Sequence, residues 1–233
     1  MMAATYETRR GEIETYFDKT AVAAWEKLTS TAPVSGIRAT VRAGRDAMRN
    51  TILSWLPENM EGQTLLDAGC GTGALALEAA ARGATVTAID LSPQLIALAA
   101  QRAASHPAAH RVTFAAGDML SPAYGKFDYA VCMDSIIHYR RADAIAAIAR
   151  LAARTEKSIL FTFAPFTPLL GTMLTIGKLV PRGDKSPAIE PQREAALRKT
   201  LALDDRFEGF ALAHSRRIKS GFYFSQAMEL KKC

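Results

Sequence analysis

Leu65-Leu66-Asp67-Ala68-Gly69-Cys70-Gly71-Thr72-Gly73 decides the reading of this 233-residue chain. An apolar run ends in Asp67 and Ala68, three glycines follow at G-x-G-x-G spacing, and alanine-rich helical sequence begins at Ala74. Glycines let the chain turn tightly and bring its backbone against a ligand that a Cβ would exclude. The stretch therefore reads as strand, ligand-approaching turn and helix. Its spacing departs from the G-x-G-x-x-G of dinucleotide-binding dehydrogenases, which disfavours a nicotinamide-dependent oxidoreductase.

Working outward, short apolar runs at 85–90, 111–115, 129–133 and 158–163 join 64–68 to give five strands. Helical segments at 74–82, 93–104 and 141–153 fall between them, the second opening on a Ser92 cap and Pro93. This alternation predicts a doubly wound α/β sheet. Upstream, Ile13, Tyr16 and Phe17 at i, i+3, i+4 spacing predict a helix over 7–28. A second helix over 36–56 places Ile37, Val41, Met48, Ile52 and Trp55 on one side and stops at Pro57. Arg38, Arg42, Arg45 and Arg49 form a basic stripe on that second helix. A proline-rich stretch at 165–191 interrupts the rhythm and holds a short apolar helix over 169–179. A charged helix over 192–203 follows, then two strands at 210–218 and 222–230 that predict an antiparallel hairpin at the sheet edge.

Two further acids extend the site. Asp90 ends the second strand before Leu91-Ser92-Pro93, where a carboxylate can accept both ribose hydroxyls of a nucleoside. Gly117-Asp118-Met119 closes the third strand, where a polar and an apolar side chain can hold an adenine. These features describe a nucleoside pocket without a phosphate cradle.

The formal charge of +6 favours an anionic partner, whether an acidic metabolite, an anionic membrane surface or nucleic acid. Cys70, Cys132 and Cys233 are scattered, without disulfide or zinc spacing, which fits a reducing cytoplasm. Charged residues arrive early at Glu7, Arg9 and Arg10, so neither a signal peptide nor a membrane anchor is expected at the start. The apolar tract at 159–180 is broken by Pro165, Pro168 and Lys178, which argues against a spanning helix.

Residues 64–163 resemble the class I S-adenosylmethionine-dependent methyltransferases. The resemblance implies a Rossmann-like seven-stranded mixed α/β sheet with an N-terminal helical extension, and S-adenosylmethionine as methyl donor. It places Asp67 and the backbone of Gly69, Cys70, Gly71 and Gly73 near the methionine part, Asp90 and Leu91 at the ribose, and Asp118 with Met119 at the adenine. Asp134 joins this cofactor set. Nucleobase amino-methyltransferases carry an Asn-Pro-Pro-Tyr type signature after the fourth strand, where this chain has Asp134-Ser135-Ile136-Ile137-His138-Tyr139. No basic run with interleaved aromatics offsets that difference, so no nucleic-acid partner is expected.

A narrower resemblance covers essentially the whole chain. Tyr16-Phe17-Asp18-Lys19-Thr20-Ala21-Val22 with Trp25, Val41-Arg42-Ala43-Gly44-Arg45, Met133-Asp134-Ser135 with His138-Tyr139, Phe161-Thr162-Phe163-Ala164-Pro165 and Gly221-Phe222-Tyr223-Phe224-Ser225 are similar to the magnesium protoporphyrin IX O-methyltransferases of bacteriochlorophyll and chlorophyll synthesis. This implies methyl transfer to one propionate of the magnesium porphyrin. Residues 1–60 become a helical extension covering substrate and 61–233 the methyltransferase domain, with a helical insertion over 165–203. A flat macrocycle suits a wall of Tyr16, Phe17, Trp25 and the 166–180 segment, and its propionates suit Arg38, Arg42 and Arg45. Core packing for the aromatic residues and a solvated face for the arginines remain open. The 166–180 segment is open to three readings, as a lid, as core or as a membrane-touching helix.

Methyl transfer requires the attacking oxygen in line with the sulfur–carbon bond, at roughly 3 Å from the methyl carbon. A propionate with a pKa near the ~4.3 of glutamate is already ionised at neutral pH, so no strong base is needed. His138 is the candidate to orient the carboxylate or take a residual proton, with Tyr139 and Tyr16 as positioning groups. His106 and His110 straddle Pro107 and His214 lies in a predicted edge strand, so no protein-bound metal is expected. Contact with a magnesium chelatase and peripheral association with the photosynthetic membrane are the partners this reading raises. Methylation of another small acceptor, and a tetrapyrrole carrier without turnover, are the competing readings.

Overall fold

The computed structural model describes residues 2–20, 29, 36–166 and 188–233. Its framework is one seven-stranded sheet in the order β3-β2-β1-β4-β5-β7-β6. The strands are β1 (Thr64–Ala68), β2 (Thr85–Asp90), β3 (Val112–Ala116), β4 (Phe127–Cys132), β5 (Thr155–Phe163), β6 (Phe210–Ser220) and β7 (Tyr223–Lys232). β1 to β5 run parallel, β7 pairs antiparallel with β5, and β6 closes the edge antiparallel to β7. The fold is therefore the Rossmann-like mixed sheet expected of class I methyltransferases.

The central strands are apolar at successive positions because both faces of the sheet are covered. Side chains of a strand alternate between faces, so Leu65 and Leu66 enter different cores. Leu65, Val86, Val131 and Leu160 pack with Met48, Ile52 and Leu53 of α2 (Ile37–Trp55) and with Leu75 and Ala79 of α3 (Ala74–Ala81). Leu66, Ile89, Cys132 and Phe161 pack with Ile145, Ile148 and Leu151 of α5 (Arg141–Ala152). Tyr6 and Ile13 of α1 (Met2–Thr15) and Leu197 and Leu201 of α6 (Glu194–Leu203) complete that second core.

The helix starts follow local chemistry. In α4 (Pro93–Ala103), the Ser92 hydroxyl accepts the Leu95 N–H at 3.2 Å and Pro93 occupies the first turn. α3 ends before Arg82, whose guanidinium turns back onto the carbonyls of Leu53, Leu56 and Pro57 and caps the end of α2.

Several boundaries differ from the sequence reading, three of them for a reason the contacts show. The helix expected over 7–28 begins at Met2 and gives way after Thr15 to a π-turn, Tyr16–Thr20. Asp18 fixes that turn by accepting the Ser92 hydroxyl at 3.0 Å. β4 starts two residues early because the Asp128 carboxylate accepts both the backbone N–H and the hydroxyl of Thr64, tying the strand starts together. β5 starts at Thr155, since the exposed Glu156 and Lys157 belong to the strand but sit at its solvated end. Trp25, most of the 166–180 segment and the expected helix at 169–179 lie outside the described residues.

Candidate active site

The loop after β1 enters the site at the carboxyl ends of the parallel strands, where open α/β sheets bind ligands. Gly69 has φ of +86°, and a Cβ there would collide with Ser135 of the loop after β4. The two loops thus touch only because position 69 carries no side chain. Asp90 clamps the glycine loop from β2, one oxygen accepting the Gly71 N–H at 2.8 Å and the other the Ser92 N–H at 3.0 Å. Burial pushes the Asp90 carboxyl up, and these N–H groups oppose it.

Asp67 is 2% exposed and its Oδ2 has no protein partner. Burial, with the nearby Asp90 charge, raises its pKa to about 7. A buried carboxylate oxygen left unsatisfied costs free energy unless a ligand donor meets it. It faces a cavity of about 440 Å³ bounded by Gly69, Cys70, Thr72, Arg42, Arg45 and Arg49. A zwitterionic amino-acid end fits this donor set, with Asp67 for an ammonium and arginines for a carboxylate.

A second cavity of about 460 Å³ shares Gly69, Met133 and Arg45 with the first. Gly71, expected near the methionine part, lines it together with Asp90, Leu91 and Met119, expected at the nucleoside. Tyr16, Phe17, Arg38, Asp134, His138 and Tyr139 line the same space, so the expected donor and acceptor groups converge. Gly73 and Asp118 border neither cavity. The Asp118 carboxylate accepts the Tyr6 hydroxyl at 2.8 Å and Arg10 at 3.0 Å, which fastens α1 beside Met119.

His138 is buried at the end of a 3₁₀ turn, Ile136–His138, with Nδ1 3.4 Å from the Ala188 carbonyl. The Phe17 ring meets it edge-on at 6.0 Å. Tyr139 stacks on Tyr6 at 4.9 Å, and burial pushes its phenol up to about 12. It remains protonated at neutral pH and can only orient. Tyr16 is half-buried and meets Phe17 edge-on.

The arginine stripe divides. Arg38 faces the larger cavity, Arg42 the glycine-loop cavity and Arg45 both, while Arg49 pairs with Asp46 and Glu78. Arg45 donates to Asp134 at 2.9 Å, and Asp134 also accepts Tyr223, Ser225 and Thr162 hydroxyls. Sequence reasoning assigned no role to Tyr6, Arg10, Met133 or Tyr223. Tyr6 precedes the point where the helical pattern becomes visible, and Tyr223 reads as an ordinary strand residue. Among the described residues no group of three or more His, Cys, Asp or Glu could hold a metal. His106 and His110 instead contact nearby backbone.

A family model described as magnesium-protoporphyrin IX methyltransferase C-terminus matches residues 132–232, and a methyltransferase-domain model matches 65–157. The chain is 43% identical to the magnesium-protoporphyrin O-methyltransferase of Rhodobacter capsulatus, over 99% of this chain and 100% of that protein. It is 32% identical to the chloroplastic magnesium protoporphyrin IX methyltransferase of Arabidopsis thaliana, over 93% of this chain and 69% of the other. The crystal structure of magnesium protoporphyrin IX methyltransferase from Synechocystis with bound SAH superposes with a TM-score of 0.83 at 29% identity, covering 96% of this chain and 100% of that one.

Proposed function

The chain belongs to the magnesium-protoporphyrin O-methyltransferase family, and from that premise we propose that it methylates one propionate carboxylate of magnesium protoporphyrin IX, giving the monomethyl ester. The observation that carries this reading is the convergence of Asp90, Leu91 and Met119 with Arg38, Phe17 and His138 around one largely apolar cavity. When bound, S-adenosylmethionine supplies an electrophilic methyl group on a sulfonium. Its residues fit: Asp67 offers an unsatisfied buried oxygen to an ammonium, Asp90 stands at the ribose position and Met119 lines the adenine end.

The chain's own task is orientation and exclusion of water. Tyr16 and Phe17 form an apolar wall for the macrocycle, and Arg38 supplies a cation for a propionate. His138, held beside the Ala188 carbonyl, hydrogen-bonds the reacting carboxylate, and Tyr139 fixes the loop that carries it. Asp118 acts through α1 at the adenine end, by its bonds to Tyr6 and Arg10. Cys70 and Gly73 contribute backbone shape to the loop. Arg42, in the glycine-loop cavity, serves the donor's carboxylate end rather than a propionate.

No described helix is long and apolar enough to cross a membrane. Exposed Ile37 and Phe222, the latter at the rim of the cavity that Arg38 also lines, support peripheral contact with an anionic photosynthetic membrane. Such a surface also suits handover of substrate from a magnesium chelatase. Binding and turnover measured together test the main reading: tight binding of magnesium protoporphyrin IX with methyl-ester product supports it, and binding without product makes the chain a tetrapyrrole carrier.

A further inference from the structure

Asp134 stands out among the described non-glycine residues in having a positive φ, +55°. Such a conformation is disfavoured for a side chain with a Cβ and persists only where surrounding contacts hold it. Here the contacts come from three other elements. Arg45 of α2 donates to Oδ2 at 2.9 Å, and the Tyr223 hydroxyl of β7 reaches both oxygens at 3.1 and 3.0 Å. Ser225 of β7 and Thr162 of β5 donate at 3.2 and 3.1 Å. The Asp134 side chain is only 6% exposed, so its charge is balanced by Arg45 inside the protein. Arg45 lines both cavities, at the seam where donor and acceptor must meet.

The chemistry at that seam destroys charge. A carboxylate oxygen gives an electron pair to the methyl carbon, the C–O bond forms as the C–S bond breaks, and that bond's pair stays on sulfur. One anion and one cation become a neutral ester and a neutral thioether. A net cation beside the carboxylate would stabilise the reactant anion more than a transition state in which its charge is fading, tightening binding while slowing the step. A neutral ion pair keeps the guanidinium's shape and donors with far less of this penalty. We infer that Asp134 is a positioning residue that holds Arg45 as a charge-neutral pair at the junction of the two cavities, so that the acceptor carboxylate meets no net cation there. The inference rests on the carboxylate-acceptor reading above.

The test is a double-mutant cycle of Asp134→Asn and Arg45→Gln, with two readouts. Asparagine tolerates the left-handed region well, so Asp134→Asn keeps the turn. Without donor, Asp134→Asn should bind magnesium protoporphyrin IX several-fold more tightly while its affinity for the dimethyl ester stays the same. With donor, kcat should fall by about tenfold or more at an unchanged or lower porphyrin KM. Adding Arg45→Gln should restore part of kcat. Arg45→Gln alone, which leaves Asp134 unpaired, should weaken the diacid relative to the diester, and this arm stands even if Asp134→Asn fails to fold. Parallel loss of kcat and affinity, an equal effect on diacid and diester, or no recovery in the double variant would overturn the inference. Absence of wild-type turnover on magnesium protoporphyrin IX would overturn the carboxylate-acceptor reading and this inference with it.

Discussion

Asp67 connects a sequence feature to a measurable property. Its carboxyl lies in the last residues of β1, where burial raises its pKa from the ordinary 3.8 to about 7. As pH rises from about 4 to 7 the unfolded chain ionises this group while the folded chain keeps the proton. The stability it contributes is therefore fully present below about pH 4 and lost as pH rises through 7. Asp67→Asn should melt closer to wild type at pH 5 and progressively above it by pH 8, read by calorimetry. A constant difference across that range would mean that Asp67 is not protonated in the fold. His138 follows β4 and is buried with its ring edge-on to Phe17. His138→Phe should reduce kcat by roughly 10²-fold, as for misplacement of the attacking oxygen, with a smaller change in porphyrin affinity. A normal kcat would remove it from the reaction.

At the scale of elements, α2 is the piece whose importance the sequence understates. Its basic stripe reads as one surface, yet Arg38, Arg42 and Arg45 reach different parts of the site because α2 crosses above the junction of the cavities. Gly44 permits that approach, since a Cβ there would strike the Tyr223 ring of β7. Gly44→Ala should destabilise the fold by about 1–3 kcal/mol through overpacking, and displace Arg45 from Asp134. Equilibrium denaturation checks the first effect, and a lower kcat with an altered ratio of diacid to diester affinity checks the second. The βα alternation and the glycine loop were readable because their periodicity and turn residues are local. The close approach of Gly44 to Tyr223 spans most of the chain and leaves no local signature. The π-turn at Tyr16–Thr20 was hidden for a similar reason, as Asp18 is held by Ser92 from a distant helix start.

For the whole molecule, the sheet order brings the ends of β1, β2 and β4 together, and the N-terminal elements and C-terminal hairpin close over them. Tyr6 and Arg10 reach Asp118 from α1, while Tyr223 and Ser225 reach Asp134 from β7. Tyr6, Tyr16 and Phe17 of the extension and Phe222 and Tyr223 of the hairpin thus line the same cavity as Asp90 and Met119. This explains why resemblance across the full length said more about the acceptor than the glycine motif alone. The most direct measurement of the central claim is incubation of the protein with S-adenosylmethionine and magnesium protoporphyrin IX, with magnesium-free protoporphyrin alongside, and the porphyrins resolved by chromatography and mass. The expected result is gain of a single methyl, as an ester, on the metallated porphyrin and little on the free base. Donor binding with neither porphyrin methylated would contradict it.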